Sequence, residues 1–171
     1  MHLLIIRHAI AEDKEVWAQT GEPDERRPLT DGGRKKMRRG VKGLRELVTR
    51  IDLLGASPLT RAAQTAAIVA DAYGGIEPVT VGALVPQRAP GDFLSWLRDA
   101  APGHDVIAGV GHEPHLSGLV SYLLAERPQP PLVELKKGAA CLLRFDDPPR
   151  AGGACLEWLL TPWQLRRLGA S

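Results

Sequence analysis

Two arginines and two histidines are the side chains of this chain that are best suited to chemistry: Arg7, His8, Arg61 and His112. A guanidinium presents a planar fork of donors that matches the oxygens of a phosphoryl group. An imidazole can accept a phosphoryl group covalently. If the fold brings the four side chains together, they form a positively charged site for a phosphoryl group, with a nucleophile inside it.

Short buried strands are the elements that must position these residues. Apolar runs occupy residues 3–6, 51–56 and 105–111, and they favour strands of a parallel sheet that is covered on both faces. Arg7 and His8 follow the first run, Arg61 comes just after the second, and His112 follows the third. Ligands of open α/β folds bind at the carboxyl ends of the strands, so the four side chains are expected to converge at that edge of the sheet.

Helical patterns alternate with these strands along most of the chain. An apolar stripe over residues 37–48 predicts a helix that starts near residue 30, and further helices are predicted to start near residues 114 and 161. Ser57 and Asp92 are predicted to be the N-caps of two more helices, with Pro58 at the first helical position of the earlier one. Arg61 would then lie in the first turn of its helix, where the positive end of the helix dipole favours anions.

The remaining segments complete a prediction of the fold. Residues 77–83 are predicted to be a weaker strand, residues 10–29 a polar loop, and residues 132–135, 139–145 and 154–160 strands that are joined by tight turns. The sequence therefore predicts a single α/β domain over residues 1–171. Its central sheet is expected to be mainly parallel, with helices on both faces and an antiparallel edge after residue 132.

Composition narrows the class of protein further. A net charge of +2 over 171 residues is too small to indicate a nucleic-acid partner, and the basic run 34–39 is interpreted as the solvated face of a helix. No apolar run reaches the roughly 18–20 residues of a membrane span. Met1 leads straight into the first strand, so no signal peptide is expected. Cys141 and Cys155 are expected to be buried free thiols of a cytoplasmic protein.

Sequence motifs argue against four alternative sites, and one further interpretation stays open. His112 and His115 are three residues apart instead of the four of a zincin helix, so no metal site is predicted. Gly109 and Gly111 lack the third glycine of the dinucleotide fingerprint, and neither a P-loop nor a Gly-x-Ser-x-Gly elbow is present. A non-catalytic protein that binds a phosphorylated ligand stays open, because it would keep the arginines without needing His8 as a nucleophile.

Five segments of the chain form a set whose order is informative. They are Arg7-His8, Arg27-Pro28-Leu29-Thr30, Ser57-Pro58-x-x-Arg61-Ala62-x-Gln64-Thr65, Gly111-His112 and Trp158-Leu159-Leu160-Thr161-Pro162. Together they resemble the histidine phosphatase superfamily, and most closely its short phosphohistidine phosphatases of the SixA type. The resemblance covers essentially the whole chain. It implies the phosphoglycerate-mutase-like fold, a three-layer α/β/α arrangement.

The resemblance also implies a mechanism and a substrate class. His8 would be the nucleophile that carries a transient phosphoryl group, while Arg7, Arg61 and His112 would bind the oxygens of that group and stabilise its charge. No metal or other cofactor would be needed. The substrate would be a phosphohistidine-bearing protein, such as a phosphorelay domain, or a small phosphorylated molecule as the alternative.

Two departures from the family pattern affect these expectations. The usual Arg-His-Gly is here Arg7-His8-Ala9, which members of the SixA type share. Family members that cleave phosphate esters carry an acidic residue, usually Glu, between the second arginine and the second histidine, but residues 82–92 contain no Glu. Asp92 is the nearest acid, and its predicted role is that of a helix cap. The missing acid favours a P–N bond, or an activated ester, as the bond that is cleaved.

Overall fold

A six-stranded sheet forms the centre of the computed structural model, which describes residues 1–170. The strands lie in the order β3-β2-β4-β1-β5-β6. Their bounds are β1 His2–Arg7, β2 Leu53–Ala56, β3 Val79–Thr80, β4 Val106–Gly111, β5 Ala140–Arg144 and β6 Cys155–Leu160. The helices are α1 Lys14–Ala18, α2 Asp31–Leu47, α3 Thr60–Ala72, α4 Pro90–Ala100, α5 His115–Ala125 and α6 Pro162–Leu168.

The register of the parallel strands brings their carboxyl ends to one level. β1 pairs with β4 in parallel, so that Arg7 lies opposite Gly111, and β2 pairs with β4 so that Ala56 lies opposite Val110. On its other side β1 pairs with β5, and β5 pairs with β6, in antiparallel fashion. The mainly parallel sheet with an antiparallel edge is therefore confirmed.

Two hydrophobic cores cover the two faces of this sheet. The side chains of β1 alternate between them, because successive residues of a strand point to opposite faces. Leu4 and Ile6 pack with α2, α3 and α6, whereas Leu3 and Ile5 pack with α4 and α5. The four side chains are fully buried, which explains why this strand reads as an uninterrupted apolar run. The three-layer α/β/α arrangement is confirmed.

Two predicted helix caps are wrong. α3 begins at Thr60 with Leu59 at the N-cap position, and the hydroxyl of Ser57 lies 2.8 Å from Nε2 of His112 and accepts only a long bond, 3.4 Å, from the N–H of Leu59. α4 begins at Pro90, so Asp92 lies in its first turn, where its carboxylate pairs with Arg88 at 3.1 Å instead of capping the helix. The prediction that Arg61 lies in the first turn of its helix is nevertheless correct.

Three further predictions need correction. Residues 132–135 form no strand, because their backbone bonds to side chains: Leu132 N–H donates to Ser121, and Leu135 N–H donates to Glu113. The stretch 10–29 is not a plain loop, since it contains α1 and a 3₁₀ turn over Asp24–Arg26. Cys141 is a buried free thiol as expected, but Cys155 is an exposed one, because it lies on the edge strand β6. No helix among residues 1–170 is long and apolar enough to cross a membrane.

Candidate active site

All four residues that the sequence singled out line one cavity of about 670 Å³ at the carboxyl edge of the sheet. The backbone N–H of His8 donates to the carbonyl of Gly111 at 3.0 Å, which extends the pairing of β1 with β4 by one residue. This pairing brings the rings of His8 and His112 to 5.1 Å between their centroids. Both rings are almost fully buried. The predicted convergence of the strand ends is therefore present.

The ring of His8 is held in the tautomer that a nucleophile needs. Its Nδ1 lies 2.7 Å from the carbonyl oxygen of Ala9. A carbonyl oxygen can only accept, so Nδ1 carries the proton and Nε2 keeps its lone pair. Burial lowers the pKa of His8 to about 4, and the charges of Arg61, Arg7 and Lys137 contribute to the same shift. Burial is the largest cause and the arginine charges are smaller ones, so His8 is neutral at neutral pH.

The two arginines each present a buried donor that has no protein partner. Arg7 donates from Nη1 to the carbonyl of Leu135 at 2.6 Å, and Arg61 donates from Nη1 to the carbonyl of Asp24 at 2.9 Å. The Nε of each arginine is buried and has no hydrogen-bond partner among residues 1–170. Buried donors are normally bonded, and leaving one unbonded is costly. An anion with several oxygens in this cavity would supply the partners of both.

Asp24 and Arg27 hold Arg61 in place, a role that no pattern in the sequence indicates for either residue. One carboxylate oxygen of Asp24 pairs with Nη2 of Arg61 at 3.1 Å, and the other accepts from Nε of Arg27 at 2.8 Å. Burial alone would raise the pKa of Asp24, but the hydrogen bond from Arg27 and the charge of Arg61 lower it. Arg27 also donates to the carbonyl of Glu12 at 2.7 Å. The stretch 10–29 is thereby fixed over Arg61.

His112 is positioned by Ser57 from the end of β2. Nε2 of His112 lies 2.8 Å from Oγ of Ser57, while its Nδ1 is buried without a partner among the described residues. Burial, followed by the proximity of His8 and Arg61, lowers the pKa of His112 to about 2. His112 is therefore neutral and carries one ring proton. When the hydroxyl of Ser57 donates to Nε2, that proton lies on Nδ1, which can then donate to an anion.

Two further residues of the block that begins at Ser57 connect α3 to the rest of the site. Oγ1 of Thr65 accepts from the N–H of Ala9 at 3.0 Å and donates to the carbonyl of Arg61 at 2.7 Å. The side-chain oxygen of Gln64 accepts from the N–H of Leu29 at 2.9 Å. These bonds fix the residue that follows His8, the backbone of Arg61 and the end of the stretch 10–29 relative to one another.

Acidic residues do line the cavity, but none comes from residues 82–92. That stretch contributes only Val85, Pro86 and Gln87, and Asp92 is not among the lining residues. The acids that line the cavity are Glu12, Asp13, Asp24, Glu25 and Glu113. Among residues 1–170, the carboxylates of Glu12 and Glu25 have no hydrogen-bond or ion-pair partner, whereas the other three accept hydrogen bonds.

No sequence signal separated Glu12 and Glu25 from the other acids of their stretch. Glu113, by contrast, has its carboxylate occupied, because it accepts from Oγ of Ser117 at 2.6 Å and from the N–H of Leu135 at 3.0 Å. It also does not assemble a metal site with the neighbouring histidines. No group of three or more His, Cys, Asp or Glu side chains within residues 1–170 has the geometry to hold a metal ion.

Replacing Arg61 tests whether its guanidinium binds a phosphoryl group in the cavity. Arg61→Ala removes a guanidinium that is 5% exposed, and we expect kcat/KM for an aryl phosphate to fall by about 10²–10³-fold, as for other electrostatic donors of catalytic sites. Arg61→Lys should restore only part of the activity, because a point charge cannot reproduce a fork of parallel bonds. Arg26→Ala is the matched control, since Arg26 is exposed and pairs with Glu22 outside the cavity. Equal kinetics for all three variants would exclude the contact.

A sequence model identifies the family, and comparisons with solved structures identify the fold. The sequence model of the histidine phosphatase superfamily (branch 1) matches residues 3–85, a segment that contains Arg7, His8 and Arg61. An uncharacterized protein of Picosynechococcus sp. is 37% identical over 118 residues, which are 68% of this chain and 68% of that protein.

Solved structures of phosphatases share the fold over nearly the full length. The protein histidine phosphatase SixA in complex with tungstate superposes with a TM-score of 0.81 at 24% identity, covering 96% of this chain and 99% of that one. The alpha-ribazole phosphatase from Shigella flexneri has a TM-score of 0.74 at 17% identity, with 95% and 97% covered. A phosphoserine phosphatase mutant from Entamoeba histolytica, in complex with phosphoserine, has a TM-score of 0.70 at 17% identity, with 96% and 98% covered.

The fold, the matched segment and the positions of the strand-end residues agree with one another. The architecture is the phosphoglycerate-mutase-like fold. The chain belongs to the histidine phosphatase superfamily, branch 1.

Proposed function

We propose that this chain removes the phosphoryl group from phosphohistidine in proteins, through a covalent intermediate on His8. The observation that carries the proposal is the state of the His8 ring. Its Nδ1 proton is bound by the carbonyl of Ala9, and its pKa of about 4 leaves Nε2 unprotonated at neutral pH. A neutral imidazole with its lone pair facing a cavity of free arginine donors is suited to attack phosphorus.

The proposed reaction has two steps. In the first step Nε2 of His8 forms a bond to phosphorus while the P–N bond of the substrate breaks, and the substrate imidazole leaves with the electron pair. Arg7, Arg61 and His112 bind the oxygens of the transferring group and stabilise its charge. In the second step water attacks the phosphorus on His8, which releases inorganic phosphate and restores the neutral ring. No cofactor enters either step.

The choice of phosphohistidine rests on the wall of the cavity that residues 85–87 form. That wall supplies no acid, and Asp92, the nearest one in the stretch, pairs with Arg88 outside the cavity. A departing imidazole needs little help from an acid, because its second nitrogen can already carry a proton and it leaves neutral. The fold similarity to the protein histidine phosphatase SixA supports the same choice.

A small-molecule phosphomonoesterase is the second candidate, and one observation favours it. Glu12 and Glu25 line the cavity with free carboxylates, and either could protonate a departing alkoxide. The similar folds of the alpha-ribazole phosphatase and the phosphoserine phosphatase are compatible with this candidate. A non-catalytic protein that binds a phosphorylated ligand is the third reading, and it assigns no role to the Nε2 lone pair of His8.

A side-by-side comparison of substrates tests the proposal. The protein is offered a chemically phosphorylated phosphorelay domain and, separately, phosphoserine and p-nitrophenyl phosphate, and the release of phosphate is measured at pH 7. We expect kcat/KM for the phosphohistidine protein to exceed that for phosphoserine by about 10²-fold or more. The alkoxide of serine is a poor leaving group unless an acid protonates it, whereas the imidazole of phosphohistidine can leave without that help. Phosphoserine reacting as fast as the phosphohistidine protein would favour the esterase, and no turnover of any substrate would favour the binding protein.

A further inference from the structure

A second, smaller cavity of about 160 Å³ lies beside the catalytic one. Lys137 lines both cavities, and Ala9, which follows His8, lines the second. The walls of this second cavity carry three cations and no acidic residue. We call it the basic groove, and its cations are Lys36 from α2, Lys137 from the turn before β5, and Arg166 from α6.

The three cations of the basic groove have no counterion in the protein. None of them forms an ion pair among residues 1–170. Lys36 and Lys137 are exposed and Arg166 is half-buried, so their charges are available to an anion that enters the groove. The basic groove therefore has the charge of a binding site for an anion.

Only some residues of the basic run 34–39 and of the arginine pair in α6 line the groove. In the run 34–39, Arg34 donates to Gln64 and Lys35 is solvent-exposed away from the groove, while Lys36 lines it. Of the two neighbouring arginines in α6, Arg166 lines the groove and Arg167 stacks on a tryptophan ring. Lys36 is solvent-exposed like Lys35, as the predicted solvated helix face requires, and it differs from Lys35 in lining the groove.

We propose that the basic groove binds an acidic side chain of the protein substrate that lies next to its phosphohistidine. This inference rests on the proposed function and adds a preference for phosphohistidine in an acidic context. The shared wall at Lys137 places the groove beside the transferring phosphoryl group, within reach of residues that flank it. A space of 160 Å³ suits one side chain, and it is too small for a folded element of the partner.

Peptides of one length test the preference directly. Each carries a central phosphohistidine flanked on both sides by Glu in one peptide and by Gln in the other, and phosphate release gives KM and kcat. We expect KM for the Glu peptide to be roughly three- to tenfold lower, the range for a few exposed charge pairs, with kcat unchanged. The difference should shrink in 0.5 M NaCl, because salt screens such pairs. Equal KM values for the two peptides would overturn the proposal.

Paired charge reversals separate the basic groove from the general surface charge. Lys36→Glu with Arg166→Glu should abolish the preference for the Glu peptide, whereas Lys35→Glu with Arg167→Glu changes the net charge equally and should keep it. Both double variants should hydrolyse p-nitrophenyl phosphate at the wild-type rate, which also reports that they fold. If both double variants keep the preference, or both lose it, the assignment to the basic groove is wrong.

Inhibition measurements distinguish the failure of this inference from the failure of the proposed function. Both peptides are added as inhibitors of p-nitrophenyl phosphate hydrolysis. If neither peptide is hydrolysed but the Glu peptide inhibits more strongly, in a manner that depends on Lys36 and Arg166, the groove binds acidic side chains and the proposed function fails. If both peptides are hydrolysed and inhibit with equal constants, the proposed function stands and the groove proposal fails.

Discussion

His8→Ala should lower the turnover of every phosphorylated substrate by on the order of 10⁴-fold or more, because it removes the proposed nucleophile. The loss should appear in kcat, while inorganic phosphate still binds, since both arginines and His112 remain. The fold should persist, because the ring makes a single side-chain hydrogen bond, to the carbonyl of Ala9. Circular dichroism and thermal melting check the fold, and initial rates check the activity.

His104→Ala is the matched control for this variant. Nδ1 of His104 lies 2.7 Å from the carbonyl of Ala100, the same kind of bond that His8 makes, but His104 does not line the catalytic cavity. The control should retain full activity. A wild-type rate for His8→Ala would refute the assignment of the nucleophile.

Trapping experiments test the proposed covalent intermediate directly. Rapid mixing of the wild-type protein with a ³²P-labelled substrate, followed by quenching in base, should trap label on His8, because phosphohistidine is stable in base and labile in acid. The label should be absent from His8→Ala and present in His104→Ala. Label on any other residue would contradict the proposed mechanism even if His8→Ala is inactive.

The positions of Arg7, His8 and His112 could be predicted because they follow from the backbone alone. An apolar run as short as residues 3–6 fits a strand that is buried on both faces, and parallel strands end at one edge of the sheet. The residue after such a strand is then near the end of its neighbour, whatever its side chain contacts. The observed pairing of Arg7 with Gly111 follows from this rule.

The partners of these residues could not be predicted, because they depend on how distant segments pack. Asp24 pairs with Arg61 across 37 positions of sequence, and nothing in the acid-rich stretch 10–29 distinguishes it from its neighbours. Ser57 illustrates a competition between two roles. A serine before a proline is a good local N-cap, but its hydroxyl bonds to His112, 55 positions away, and the helix begins later.

The same competition explains the error at residues 132–135. An apolar stretch with alternating side chains predicts a strand, but a strand needs a neighbour whose backbone is free. Here Glu113 and Ser121 accept the N–H groups, and Arg7 takes the carbonyl of Leu135. The segment therefore links Glu113, which follows His112, to Arg7 through the backbone of Leu135. Sequence periodicity cannot predict such a link.

Alkyl phosphates should react about 10²–10⁴-fold more slowly than phosphohistidine, because that is the typical contribution of a general acid and an alkoxide cannot leave without one. The rates for aryl phosphates should lie between those for alkyl phosphates and phosphohistidine. They should rise steeply as the pKa of the leaving phenol falls. The measurement is a plot of log kcat/KM against leaving-group pKa for a series of substituted phenyl phosphates at constant pH. A shallow slope would indicate that the enzyme protonates the leaving group.

Variants of Glu12 and Glu25 test whether either residue is the general acid that a shallow slope would indicate. Glu12→Gln and Glu25→Gln should leave the slope and the phosphohistidine rate unchanged, and Asp92→Asn is the matched control, because Asp92 pairs with Arg88 outside the cavity. If alkyl phosphates react as fast as phosphohistidine, and Glu12→Gln or Glu25→Gln removes only that activity, then the substituted residue is the general acid. The natural substrate would then be a phosphate ester, and Glu12 or Glu25 would supply the acid that the lining residues 85–87 do not.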